Sequence, residues 1–143
     1  MEIARPRIAG VIARYHRLPV RARLVLTGIL GALLGLITYE LLYGLNPFAR
    51  YRATSSWSAN WVFSVWRQHA LHRWLTFASS APYLRSLGRA FALYAASGVL
   101  GAWANFQLVS GLGVNHRAAW FICLCGGGLI SLLFLKTFVH RET

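Results

Sequence analysis

The side chains able to do chemistry are few, and most of them sit in one short stretch. Arg67 is followed by Gln68-His69-Ala70-Leu71-His72-Arg73-Trp74-Leu75-Thr76-Phe77. On a helix, residues three and four apart are neighbours, so His69, His72 and Arg73 share one face. Two imidazoles make a weak metal or proton site, and no carboxylate or thiol stands close in sequence to complete a cage. Beside a guanidinium they suit a phosphate better, because charged donors form the strong hydrogen bonds to its oxygens. No metal is expected. Glu40 is the other candidate, an acid inside an apolar stretch, where burial is costly and a retained charge marks a cation or proton site. The only other acids are Glu2 and Glu142. Paired-carboxylate catalysis and hard-metal cages therefore lack ligands, and neither an enzyme nor a resident cofactor is expected. Cys123 and Cys125 lie in an apolar run without zinc or disulfide spacing and read as buried thiols.

The elements that must position these groups are written in the composition. Of 143 residues, 57% are hydrophobic and 13% are charged, against about 25% charged in a soluble domain. Fifteen Lys and Arg oppose three acids, a formal charge of +12. Nucleic-acid binders spread such charge over a polar scaffold. Here arginines flank long uncharged runs, which points to a membrane and excludes nucleic acid as a partner. A span needs about 20 mainly apolar residues. Leu24 to Leu45 is one, closed by Asn46-Pro47, and it is longer than the roughly 7–15 apolar residues of a secretory signal. Ala90 to Leu112 is another, and Ala118 to Phe138 a third. Ser55 to Trp74 is the weakest, with an apolar body of Trp57, Trp61, Val62, Phe63, Val65 and Trp66 and basic residues that snorkel from one end. The tryptophans read as interfacial anchors, and Gly126-Gly127-Gly128 as a close-packing surface.

The expected fold is an all-α integral membrane protein. Four transmembrane helices, at about residues 24–45, 55–74, 90–112 and 118–138, form one domain over residues 24–143. Residues 1–23 precede it as a basic, amphipathic cytoplasmic segment lying on the bilayer surface, with Arg7, Arg14, Arg17 and Arg21 beside Ile8, Val11, Ile12 and Tyr15. With the N-terminus inside, twelve basic residues are cytoplasmic and three, Arg50, Arg52 and Arg117, are outside. The positive-inside bias thus makes this a multi-pass cell-membrane protein with both termini cytoplasmic.

The two halves align as copies. At an offset of 67, Gly31 falls on Gly98, Thr38 on Asn105, Tyr39 on Phe106, Glu40 on Gln107 and Gly44-Leu45 on Gly111-Leu112. After a shorter second loop the offset becomes 63, placing Arg73 on Lys136, Thr76 on Val139 and Phe77 on His140. Two consecutive helix pairs of equal topology make a parallel repeat, related by an axis along the membrane normal.

Each half ends in an apolar helix that turns polar and exits through a basic residue followed by aromatics, the second copy being Ser131-Leu132-Leu133-Phe134-Leu135-Lys136-Thr137-Phe138-Val139-His140. Here the chain resembles the GtrA-like family, small four-helix proteins built from two such halves, over about Leu24 to His140. Arg73, Thr76 and Phe77 match the family's Asn-Arg-aromatic ending, and Lys136 matches it conservatively. Gln68 and Ser131 stand where Asn is usual, His72 and Leu135 replace a second Asn, and Thr38 stands where Asp is frequent, whereas Asn105 agrees with the pattern. The resemblance implies cell-envelope polysaccharide synthesis, with movement of a polyprenyl-phosphate-linked monosaccharide from the inner to the outer leaflet and a membrane glycosyltransferase as partner.

On that reading Arg73, Lys136 and Arg67 hold the phosphate. Gln68, His69, His72, Asn105, Gln107 and Glu40 supply polar contacts to the sugar, and membrane lipids surround the helices. No nucleotide-binding loop is present, so the chain does not drive pumping with ATP. Four short helices enclose little volume, which makes a homodimer plausible. Two alternatives stay open: a non-transporting adaptor of a glycosyltransferase, and a small proton-coupled exporter using Glu40.

Overall fold

The computed structural model describes residue 10, residues 12–77 and residues 82–139, excepting the side chains of 130–139. All regular structure among the described residues is helical. After a helical stretch at 12–16, helix α1 spans Val20–Leu45, a 3-10 turn spans Ala49–Tyr51, and α2 spans Arg52–Leu71. A π-helical turn, His72–Phe77, ends α2. Helix α3, Tyr83–Phe106, ends in a second π-turn, Gln107–Gly111, and α4 spans His116–Val139.

Local chemistry sets these bounds. Pro19 precedes α1, and its carbonyl accepts the first helical bond from Arg23 N at 3.1 Å. Pro47 disfavours a helical conformation at Asn46, which ends α1. The Asn46 amide then ties the turn: its Oδ1 accepts from Phe48 N at 2.9 Å, and its Nδ2 donates to Ser55 Oγ and Ser56 Oγ at 2.7 Å each. The link from α3 to α4 needs a left-handed residue, supplied by Gly113 at φ 67°. Asn115 Oδ1 then accepts from Arg117 N at 2.9 Å and caps α4. Ser55 and Ser58 of α2 donate to the carbonyls four residues before them, Tyr51 in the 3-10 turn and Thr54 in the helix, so both hydroxyl protons are used locally.

Burial runs opposite to that of a soluble helical protein. On α1, Val25, Ile29, Leu33, Ile37 and Leu41 are exposed at every fourth position, while Thr27, Gly31, Gly35 and Tyr39 are buried. The largest fully buried side chains are Tyr39, Asn105, Thr27, Thr76 and Ser56. Among the described residues one helix, α1, is long and apolar enough to cross a membrane.

The chain divides into two compact units, Met1–Thr38 with Val62–Ala92, and Tyr39–Trp61 with Leu93–Thr143. In the first, the end of the Gln68 side chain occupies the space where a Cβ on Gly31 would stand, so any larger residue there would move the Gln68 amide. In the second, Tyr39, Trp57 and Trp120 form the core, flanked by Tyr43, Trp61, Ala102 and Cys123.

Several expectations need revision. Trp57 is 8% exposed and packs on Gly101, which makes it a core residue rather than an interfacial anchor, and the half-buried Trp61 packs on Gly98. A bulky ring seated on a glycine is what fills this core. A Cβ added at Gly126, Gly127 or Gly128 would project into open space among the described residues. Cys125 is exposed rather than buried, because its side of α4 faces outward. Tyr15 turns inward, donating to Arg23 O at 2.9 Å. Helix α1 begins at Val20 rather than Leu24, taking in the last four residues of the expected N-terminal segment; the part of that segment at residues 1–9 and 11 lies outside the described residues, as do His140 and the Lys136 side chain.

Candidate functional site

The first unit brings three of the expected residues together. His69, His72 and Arg73 line a cleft of about 240 Å³ with Phe77 and Ser86. The π-turn forms one wall. It inserts a residue relative to the α-helical repeat, a distortion frequent at functional sites, and presents His72, Arg73 and Phe77 from consecutive turns. The other wall is the start of α3, where Pro82 fixes the chain and Ser86 N bonds Pro82 O at 3.1 Å.

Tyr83, which the sequence reading missed, is the platform. The Arg73 guanidinium lies 5.7 Å from its ring centroid, the His69 ring meets it edge-on at 5.3 Å, and Trp74 stacks on it at 6.5 Å. An arginine, a histidine and a tryptophan converging on one aromatic ring leave no strict spacing in sequence. Only the short gap of residues 78–82 and Pro82 hinted that α3 begins opposite the π-turn.

Hydrogen bonding assigns both imidazoles. Ser86 Oγ donates to Tyr83 O at 2.9 Å, so at 3.0 Å it accepts from His69 Nε2–H. Thr76 Oγ1 donates to Thr27 Oγ1 at 3.1 Å, so it accepts at 3.1 Å from His72 Nδ1–H. The chain continues, because Tyr15 spends its proton on Arg23 O and therefore accepts from Thr27 Oγ1 at 2.7 Å. One directed relay, His72 to Thr76 to Thr27 to Tyr15 to the Arg23 carbonyl, thus fixes the His72 tautomer. When His72 is neutral, its Nε2 is left as a hydrogen-bond acceptor at the cleft, beside the permanently cationic Arg73.

Arg67 and Gln68 lie in the same unit but do not line the cleft. Arg67 donates to Thr38 Oγ1 at 3.2 Å and Ser64 Oγ at 2.8 Å, while its Nε and Gln68 Oε1 are buried without hydrogen-bond partners. This leaves one donor and one acceptor unmatched in an apolar setting, groups that ordinarily find a partner.

The second unit holds Glu40, Asn105 and Gln107. Asn105 is fully buried and accepts from Thr54 Oγ1 at 3.3 Å. Gln107 is exposed on the second π-turn. Its alignment with Glu40 does not carry into structure, since Glu40 sits on an α-helical turn and pairs with Arg117, Oε1 to Nε at 2.8 Å and Oε2 to Nη2 at 3.0 Å. Both partners keep solvent access. That pairing holds the Arg117 guanidinium above its ordinary value. Beside it, the His116 ring stacks on Tyr43 at 3.9 Å and 3°. Burial pushes the His116 imidazole below its ordinary value, Glu40 acting against that and Arg117 with it.

Compared with known proteins, the chain matches no family model, no curated protein and no solved structure.

Proposed function

We propose that this chain is a four-span membrane protein of the GtrA-like kind that moves a polyprenyl-phosphate-linked monosaccharide between leaflets for cell-envelope glycan synthesis. The observation that carries the reading is the cleft of His69, His72, Arg73, Phe77 and Ser86 where α2 ends. One fixed cation, two neutral-capable imidazoles, a hydroxyl and an aromatic wall match a sugar joined to a phosphodiester. The guanidinium takes the phosphate charge, and His72 Nε2 accepts from a hydroxyl. The exposed aliphatic stripe of α1 over a polar inner face supports lipid contact, where side chains facing outward meet hydrocarbon and polar groups turn inward. The two-half pattern of Arg73 and Lys136 supports the parallel repeat.

Loading from the cytoplasmic face by a glycosyltransferase, and a second copy completing the path, belong to the same reading. Arg73→Gln should weaken binding of a prenyl-phosphate sugar roughly tenfold to a hundredfold, as loss of a charge-assisted hydrogen bond implies, and Arg73→Lys should lose less. Unchanged affinity in the Arg73→Gln, Lys136→Gln double variant, at normal membrane abundance, would favour the adaptor instead. The exporter reading needs Glu40 free to exchange a proton or cation, and its bidentate pair with Arg117 weighs against that. Glu40→Gln should therefore leave transport nearly unchanged. Loss of proton-linked efflux of a cationic compound in that variant would reverse the ranking.

A further inference from the structure

The second unit contains a smaller cleft, about 100 Å³, whose lining includes Tyr43, Arg50, Tyr51, Arg52 and Ser110. Its construction repeats that of the first. Each cleft is walled by a π-turn, here Gln107–Gly111. Each offers a serine, Ser86 in the first and Ser110 here. Each holds a guanidinium over a tyrosine: Arg73 lies 5.7 Å from Tyr83, Arg52 lies 5.8 Å from Tyr43, and Arg50 adds a third at 5.2 Å from Tyr51. Stacking on a ring orients a guanidinium while leaving its N–H edges free. Neither the Arg50 nor the Arg52 side chain has a carboxylate, because Glu40, the single acid among the described residues, is taken by Arg117. Both arginines line the cleft, so an anion there would meet two positive charges that no carboxylate offsets.

Charge and size separate the two clefts. Two guanidiniums match a dianion, and a phosphate monoester carries about −1.5 to −2 at neutral pH, whereas the single Arg73 of the first cleft matches a phosphodiester. At about 100 Å³ against about 240 Å³, the smaller cleft is the closer match to a bare tetrahedral oxyanion and the larger to a phosphate that carries a sugar. We propose that the Arg50–Arg52 cleft is a second anion site that takes the phosphate monoester end of a prenyl lipid from which the sugar has gone.

The lipid source of that monoester rests on the transport reading. Arg52 is the first residue of α2 and Arg73 lies two residues past its end, so the transport reading, in which α2 spans the membrane, assigns the two sites to opposite faces. A glycosyl transfer on the outer face breaks the sugar C1–O bond to phosphate and forms a C1–O bond to the acceptor. The acceptor's proton passes to the phosphate or to water, and a prenyl phosphate monoester is left.

The test uses the full chain in phosphatidylcholine nanodiscs, titrated with farnesyl phosphate, a glucose phosphodiester of farnesol, phosphatidylglycerol and inorganic phosphate. The wild type should bind farnesyl phosphate, and Arg50→Gln with Arg52→Gln should lose at least tenfold, from two charge-assisted contacts, with Arg50→Lys and Arg52→Lys losing less. That glutamine variant should keep the glucose phosphodiester affinity, which Arg73→Gln should lower. In the wild type, farnesyl phosphate should protect Arg50 and Arg52 from phenylglyoxal, read by mass spectrometry, a result independent of how any variant folds. Absence of protection, unchanged monoester affinity in the glutamine variant, or equal competition by phosphatidylglycerol would overturn the site. Inorganic phosphate binding as tightly as farnesyl phosphate would overturn its lipid source. Failure of every protein to bind the glucose phosphodiester while monoester binding persists would leave this site standing and overturn the transport reading.

Discussion

His72 shows how a second layer of hydroxyls decides what a histidine offers. Its Nδ1–H is committed to Thr76, whose own proton goes on to Thr27, so Nε2 is the atom left for a ligand. Thr76→Val removes the acceptor and frees the tautomer. In ¹⁵N imidazole spectra the wild type should show His72 protonated at Nδ1, the valine variant should shift toward the Nε2-protonated form, and Thr76→Ser should restore it. Affinity for a prenyl-phosphate sugar should fall about two- to tenfold, the worth of one hydrogen bond. An unchanged spectrum in Thr76→Val would show that the relay does not set the tautomer. His116 makes the pH prediction. Its folded value is lowered, chiefly by burial, so below the ordinary value of about 6.5 the unfolded chain binds the proton first. Stability is therefore fully present at neutral pH and falls as pH drops through that window. His116→Phe keeps the stack on Tyr43 and removes the titration, so Tm in detergent should fall less between pH 7.5 and 5.5 in the variant than in the wild type. Equal slopes would show that His116 does not titrate differently on unfolding.

At the scale of helices, tryptophans seated on glycines yield a stability prediction. Trp57 occupies the space beside Gly101, so Gly101→Leu must displace a ring in the core of the second unit. Overpacking of this kind costs about 1–3 kcal/mol, to be read as a lowered Tm, and Gly126→Leu, facing open space, should leave Tm unchanged. Comparable losses at both positions would contradict the packing. These elements also mark how far the sequence could be read. The end of α1 was legible because Asn46-Pro47 is a local signal, and the apolar runs gave every long helix. The π-turns were not, because one extra residue per turn leaves no trace in hydrophobic periodicity, and both clefts are built on them. The shared face of His69, His72 and Arg73 followed from spacing alone, whereas Tyr83, Ser86 and the Thr27–Thr76 bond depend on tertiary approach. The pairing of Glu40 with Arg117 had a signal that was passed over: a lone acid in an apolar stretch demands a partner, and few basic residues lay at the same end of its helix.

For the whole molecule, the question is which solvent the helices face. Val25, Ile29, Leu33, Ile37 and Leu41 form a continuous exposed aliphatic row on α1, and Leu93, Val99, Leu100 and Trp103 are exposed on α3. Water would penalise such rows, since monomeric soluble proteins rarely show apolar patches beyond a few hundred Å². Hydrocarbon would not. If α1, α2 and α3 all cross a membrane, the α1–α2 link and the start of α3 must open on opposite sides, and the twelve-to-three distribution of basic residues then assigns the former to the outside. Phe48 in that link is 65% exposed and Leu84 at the start of α3 is 80% exposed, so each accepts a reporter without disturbing a packed contact. In a background with Cys123 and Cys125 replaced by serine, Phe48→Cys should react with an impermeant maleimide in intact cells, and Leu84→Cys only after permeabilisation. The reverse pattern would invert the orientation and put the Arg73 cleft on the outer face, away from a lipid charged in the cytoplasm. Labelling of both from one side would mean that α2 does not cross, and the four-span architecture would fall with it.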